Sequence, residues 1–234
     1  MSPEAEFLSL LVHELRTPLT SLRGALVLLS SAAADASEDV RNFSTIADRG
    51  ATRLAGLLDD AAVYARLQQP EIRLSTTAVD LTSLLEHAAV YAQSVAETRG
   101  VTIQVQRPSV DAHADDGLLR DAVSRILFYA VRVTPREGLV RVSAERVAGR
   151  IVIWVADQGK PVRDADVGRL FDPFSPVARR GVDSADRAGL DLAIAKLVAE
   201  HHGGTLEYRQ LTVGGVVRLT LGDSGRKPGA GTSG

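Results

Sequence analysis

The chain has no cysteine among its 234 residues, which excludes disulfide frameworks and thiolate metal sites and makes a reducing cytoplasm the expected setting. A dominant charge is also missing. The 27 Lys and Arg against 29 Asp and Glu leave a net charge of −2, too weak a field to draw the chain to nucleic acid or a membrane surface. No uninterrupted apolar run is long enough to span a bilayer. The opening MSPEAEFLSLLVHELRTPL puts acidic residues ahead of its apolar stretch, where a signal peptide would carry a basic leader. Internal repeats are absent too. What remains is 45% hydrophobic content over a length that suits one large or two small soluble domains with buried cores.

Two long helical patterns come first. From about Pro3 to Ala34, Leu8, Leu11, Leu15, Leu19, Leu22, Leu26 and Leu29 fall within one sector of a helical wheel. The polar stretch Asp35-Ala36-Ser37-Glu38-Asp39 breaks the pattern and supplies capping residues. A second pattern runs from about Glu38 to Gln68, with Val40, Phe43, Ile46, Leu54, Leu57, Leu58, Ala61 and Tyr64 apolar. Joined by a short turn, the two predict an antiparallel hairpin whose apolar stripe stays partly wet in a lone copy. Pairing two hairpins into a four-helix bundle covers that stripe, so a homodimer is expected.

After Gln69-Pro70 the grammar changes. Residues 70–79 read as a linker or edge strand, and Asp80 caps a helix over Leu81–Arg99 that Gly100 stops. Strand Val101–Gln106, helix Asp116–Val133 and a hairpin of Leu139–Arg146 with Ile151–Asp157 around Gly149 follow. A helix over Gly189–His202 and a closing hairpin of Thr205–Gln210 with Val213–Leu221 complete an α/β sandwich, helices on one face of a mixed sheet. The expected units are thus 1–69, a linker at 70–79, 80–222, and a disordered Gly/Ser-rich tail at 223–234.

The word His13-Glu14-Leu15-Arg16-Thr17-Pro18-Leu19-Thr20-Ser21-Leu22 stands in the first helix. His13 projects roughly 160° from the centre of the leucine stripe, at 100° per residue, and therefore faces water. A neutral imidazole there is a good nucleophile for phosphorus near pH 7. Glu14 can orient the other ring nitrogen or accept its proton, and Thr17 lies one turn on, on the same side. The word resembles the phosphoacceptor box of sensor histidine kinases of the HisKA type. That resemblance implies that His13 accepts the phosphoryl group, that Glu14 assists, and that Thr17 helps place water when a partner is dephosphorylated.

Residues from about Asp80 to Leu221 resemble the ATP-binding domain of the same kinases, of the histidine-kinase, gyrase and Hsp90 type. The resemblance rests on Val155-Ala-Asp-Gln-Gly159, on Arg169-Leu-Phe-Asp-Pro-Phe174, and on Gly189-Leu-Asp-Leu-Ala-Ile194 leading to His202-Gly-Gly204. It implies nucleotide-site roles for Asp157, Gly159 and Gly189, Asp157 towards the adenine amino group. It also shows departures. Tyr129 stands where the family keeps the asparagine that helps bind magnesium, and Arg125 replaces an earlier asparagine of the same box. Pro161 replaces a glycine, and the three glycine positions of the second glycine box are Arg187, Gly189 and Asp191. A carboxylate at Asp191 would repel a docking phosphate by about 4 kcal/mol at an effective dielectric near 20.

These residues imply histidine phosphotransfer: His13 takes a phosphoryl group from one receiver-domain aspartate and passes it to another. No cofactor of its own is required, since magnesium comes with the partner receiver, and ATP and magnesium binding are expected to be weak or absent. An autophosphorylating kinase with a diverged site and a scaffold for response regulators are the alternatives. No metal site is expected. His87 and His113 are expected to be packing or solvent residues, the adjacent His201 and His202 not to ligate metal as a pair, Trp154 to be core, Arg179-Arg180 solvated charge, and Asp164 and Asp166 a helix cap and first turn.

Overall fold

The computed structural model describes residues 15–16, 19–20, 22–29, 38–69, 72–108, 110–178 and 189–222. The stem consists of helix α1, described over 22–29 with helical residues also at 15–16 and 19–20, and helix α2, Glu38–Leu67. Its leucines divide into two rows with a seven-residue spacing. Leu19 and Leu26 share a buried cluster with Ala51, Leu58 and Ala61 of α2, while Leu15, Leu22 and Leu29 remain about half exposed. Positions seven apart lie along one line of a helix, so one row closes the hairpin and the other faces outward. Phe43, Ile46 and Leu54 of α2 are exposed as well.

The second half is an α/β body. Strand β1 (Thr76–Asp80) pairs antiparallel with β3 (Asp111–Asp115) in a two-stranded sheet. Strands β2 (Thr102–Val105), β4 (Leu139–Val147), β5 (Arg150–Ala156), β6 (Thr205–Gln210) and β7 (Gly215–Thr220) form a five-stranded sheet in the order β2-β4-β5-β7-β6. Only the β2–β4 pair in it is parallel. Helices α3 (Leu81–Arg99), α4 (Asp116–Val133) and α6 (Asp191–His201) share one core with the inward residues of the sheet. Helix α3 shows why: Leu81, Leu84, Leu85, Ala88, Ala92 and Ala96 recur every three or four residues and are all buried. Asp80 caps it by accepting from the Thr82 amide at 2.9 Å, as its sequence predicts.

Two local readings change, and two gain detail. The end of the segment read as linker or edge strand is β1, because β3 is there to pair with it; β3 is short and polar, and its DAHAD sequence gives no strand signal. Trp154 is not core. Ile153 and Val155 point at the helices, so Trp154 points the other way and is half-buried between Ser143 and Arg218 of the neighbouring strands. Asp164 is not a cap either. Short helix α5 (Asp164–Val167) has Arg163 at its N-cap, and Asp166 accepts from Arg163 Nε at 2.6 Å. The histidine pair makes structural hydrogen bonds. His202 Nδ1 donates to the Val198 carbonyl at 2.7 Å and its Nε2 accepts from the Asp115 amide at 3.0 Å.

Stem and body meet along α2 and α6. Leu67 is fully buried in the core of the body, with Val63 and Tyr64 packed against it. His201 Nε2 donates to the Leu67 carbonyl at 2.7 Å, fastening the last turn of α2 to the end of α6. Nearby, Val63, Arg66, Leu67, Ile72, Arg73 and Asp121 line a cleft of about 490 Å³ between the stem, the connecting segment and the start of α4.

Candidate functional site

His13, Glu14 and Thr17 lie outside the described residues, as do Arg187 and Arg179-Arg180. Within the phosphoacceptor word, Arg16 is described, and its Nη2 donates to Asp59 Oδ1 of α2 at 2.7 Å. Both side chains are more than half exposed, so this tie between the stem helices contributes little.

In the body, Asp157 follows directly on strand β5, carried there by the pairing of β5 with β7. Its side chain is almost fully buried at 4% exposure. Oδ1 accepts from the amides of Gly159 at 2.7 Å and Gly215 at 3.3 Å, while Oδ2 has no hydrogen-bond partner. Burial pushes the carboxyl up to about 6, and the two amide bonds pull in the opposite direction without offsetting it. Gly159 is required: a Cβ there would stand 2.9 Å from Asp157 Oδ1 and 3.0 Å from the Val133 side chain. Gly189, at φ 75°, turns the chain into the start of α6. The end of α4 links the two glycines: its Val133 faces Gly159, and its Arg132 pairs with Asp191, two residues after Gly189.

Asp191 belongs to a cluster that sequence reasoning missed. Asp191, at 1% exposure, does not stand free against an incoming phosphate, which corrects the repulsion expected from sequence. Its Oδ2 lies 2.8 Å from Arg132 Nη2 and its Oδ1 3.5 Å from Arg125 Nη1. Arg125 Nη1 also donates to Asp60 Oδ1 of the stem at 2.7 Å, and Arg125 Nε to Asp121 Oδ2 at 2.9 Å. Burial works to lower the Arg125 pKa, but the neighbouring Asp121 and Asp60 carboxylates more than offset it and hold the guanidinium above its usual range. Tyr129, one turn along α4 from Arg125, is 2% exposed and lies in the apolar core. A sequence signal existed. Arg125 and Arg132 interrupt an otherwise apolar run on α4 with a spacing of seven, so both face one direction from a buried helix and require buried anions.

Residues 4–70 match the His Kinase A (phospho-acceptor) domain, and residues 114–232 match the histidine kinase-, DNA gyrase B- and HSP90-like ATPase domain. The chain belongs to the sensor histidine kinase family. Among curated proteins, the sensor-like histidine kinase SenX3 of Mycobacterium tuberculosis is 31% identical over 205 residues, which is 86% of this chain and 49% of the relative. The sensor protein DivL of Caulobacter vibrioides is 32% identical over 206 residues, 85% of this chain and 25% of DivL. This chain therefore spans about half the length of SenX3 and a quarter of DivL. Of solved structures, full-length ShkA in complex with AMPPNP superposes with a TM-score of 0.78 at 29% identity, over 92% of this chain and 45% of ShkA. The histidine kinase ThkA in complex with the response regulator TrrA superposes at 0.64 and 17% identity, over 94% and 63%, and shares the fold. The order of this family member, a helical phosphoacceptor-type region followed by a mixed α/β ATPase-type body, is the order read from its sequence.

No described helix is long and apolar enough to cross a membrane.

Proposed function

We propose that this chain is a histidine phosphotransfer protein of two-component signalling, with His13 receiving a phosphoryl group from one receiver-domain aspartate and delivering it to another. In the loading step a nitrogen–phosphorus bond forms at the imidazole as the acyl phosphate P–O bond breaks, and the receiver carboxylate leaves with the bonding pair. Glu14 orients the ring or takes its proton, and delivery reverses these steps. Magnesium is supplied by the receiver's own acidic site. Transfer to water with Thr17 placing the nucleophile would give phosphatase action. The outward leucine row of Leu15, Leu22 and Leu29 with Phe43, Ile46 and Leu54 supports a homodimeric four-helix stem, since a second copy would cover it.

The observation that carries the phosphotransfer reading is the Asp191 cluster. ATP and magnesium bring four or more negative oxygens and a divalent cation, which need free cationic and carboxamide or carboxylate groups. Here Arg125 and Arg132 are both engaged by buried aspartates, and Tyr129 is packed into the core. The phosphate and magnesium half of an ATP site does not fit these residues.

One observation favours the second reading, a kinase that phosphorylates His13 from ATP: Asp157 keeps a buried Oδ2 without a partner, a fit for the amino group of an adenine. ShkA, similar over most of this chain, was crystallised with an ATP analogue. Radiolabel separates the two readings. On the phosphotransfer reading, a 32P-labelled receiver domain labels the chain, His13→Gln abolishes the labelling, and γ-labelled ATP with magnesium gives none. Labelling from ATP that also depends on His13 would establish the kinase instead.

A further inference from the structure

Four buried charges cross the boundary between stem and body. Asp60 of α2 meets Arg125 of α4 at 2.7 Å, Arg125 lies 3.5 Å from Asp191 of α6, and Asp191 meets Arg132 of α4 at 2.8 Å. All four side chains are less than a tenth exposed. Two positive and two negative charges cancel, with Asp121 adding a further anion at the wetter rim. Groups this deep are tolerated only when paired, so each holds the others in place. The residue before Asp60 extends the chain of contacts: Asp59 pairs with Arg16, three residues after His13. A single turn of α2 is thus held by the phosphoacceptor helix on one side and by two helices of the body on the other. The His201 bond to Leu67 lies two turns further along the same helix.

We propose that the Asp60–Arg125–Asp191–Arg132 cluster is a built-in latch that holds the α/β body in one orientation on the stem, making Asp60 and Arg125 positioning residues for receivers that dock beside His13. A body held in one orientation presents the same surface to every partner that docks on the stem. The charges of the cluster come from the protein itself, so the orientation is set without a ligand. Only the link to receiver docking rests on the phosphotransfer reading; the latch itself is a property of the fold and is tested apart from it.

The cysteine-free chain allows a clean measurement. Nitroxides on Thr52→Cys in α2 and Glu207→Cys in β6, both exposed, report the distance between stem and body, with excess unlabelled chain isolating distances within one copy. The expected result is one narrow distribution, unchanged by ATP with magnesium, that at least doubles in width in Asp60→Ala. If Asp60→Ala loses native circular dichroism, Asp60→Asn keeps the shape and is expected to broaden the distribution measurably. A broad distribution in the unaltered pair, or one that stays narrow in the folded variant, overturns the latch. With a phosphorylated receiver as substrate, Asp60→Ala should raise KM about tenfold and leave kcat within twofold. An unchanged KM beside a broadened distance would overturn the positioning role. Absence of any transfer to His13 in the unaltered chain would sink the functional reading and leave the distance result standing.

Discussion

The two ends of the ATPase-type site have fared differently. At the β5 end, Asp157 keeps a buried carboxylate with one oxygen unpartnered, beside a Gly159 where a Cβ would crowd it. At the α6 end, Asp191 is buried, and Arg125 and Arg132 are paired with it within the protein. The comparison teaches that a buried carboxylate can be held in two ways: by backbone amides of its own strand ends, as at Asp157, or by guanidinium groups that also tie stem and body together, as at Asp191.

The largest effect should come from breaking the α6 end. Arg125→Ala removes the buried partner of Asp60 and one partner of Asp191, and is expected to cost about 3–5 kcal/mol in a denaturant titration, since a buried charge loses its counterion. At the β5 end the sign depends on pH. Asp157 binds its proton more tightly folded than unfolded, so its contribution to stability is present below about pH 4 and is lost as pH rises through about 6. Asp157→Asn should therefore match the unaltered chain near pH 4 and exceed it by up to about 3 kcal/mol above pH 6, measured as the difference between the two stability curves. Identical curves across that window would mean that the carboxyl is not perturbed.

A smaller effect is expected from converting one end towards the other. Asp191→Gly frees Arg132 and part of Arg125, and should strengthen ATP binding by about tenfold, or 1.4 kcal/mol, in calorimetry. That gain should need no magnesium while Tyr129 remains, and adding Tyr129→Asn should make it magnesium-dependent. An unchanged isotherm in the double variant would show that the obstruction lies elsewhere. The smallest effect belongs to Asp59→Ala, adjacent to Asp60 in sequence but exposed in its pairing with Arg16; it should cost less than about 1 kcal/mol and fade with salt. Equal costs for the exposed and buried pairs would remove the basis for treating the cluster as special.

Much of the architecture was legible because periodic patterns carry it. The leucine stripe specified the stem, Asp80 and Gly100 marked both ends of α3, and the β-branched runs on either side of Gly149 marked the central hairpin. β3 was not legible: Asp111–Asp115 has no strand propensity of its own and is held extended by β1 and by the His202 bond to its last amide. At the candidate site, what the sequence made legible was a local backbone demand: Gly159 sits where a Cβ would crowd Asp157, and Gly189 takes a positive φ. The burial of Asp191 could not be read, because its partners Arg132 and Arg125 come from 59 and 66 positions away in sequence, and the pairing of Arg125 with Asp60 depends on how the stem docks. Arg125 was legible as a missing asparagine but not as a new contact.

The outward-facing Trp154 has a practical meaning. It is the only tryptophan in the chain, and it sits half-buried on the far side of the sheet from the helices. Its fluorescence therefore follows the melting of the body by itself, while far-ultraviolet ellipticity sums the helices of both parts. If the two signals coincide on heating, stem and body unfold as one cooperative unit; if they separate, the protein supplies its own optical readout of the junction, with no label attached.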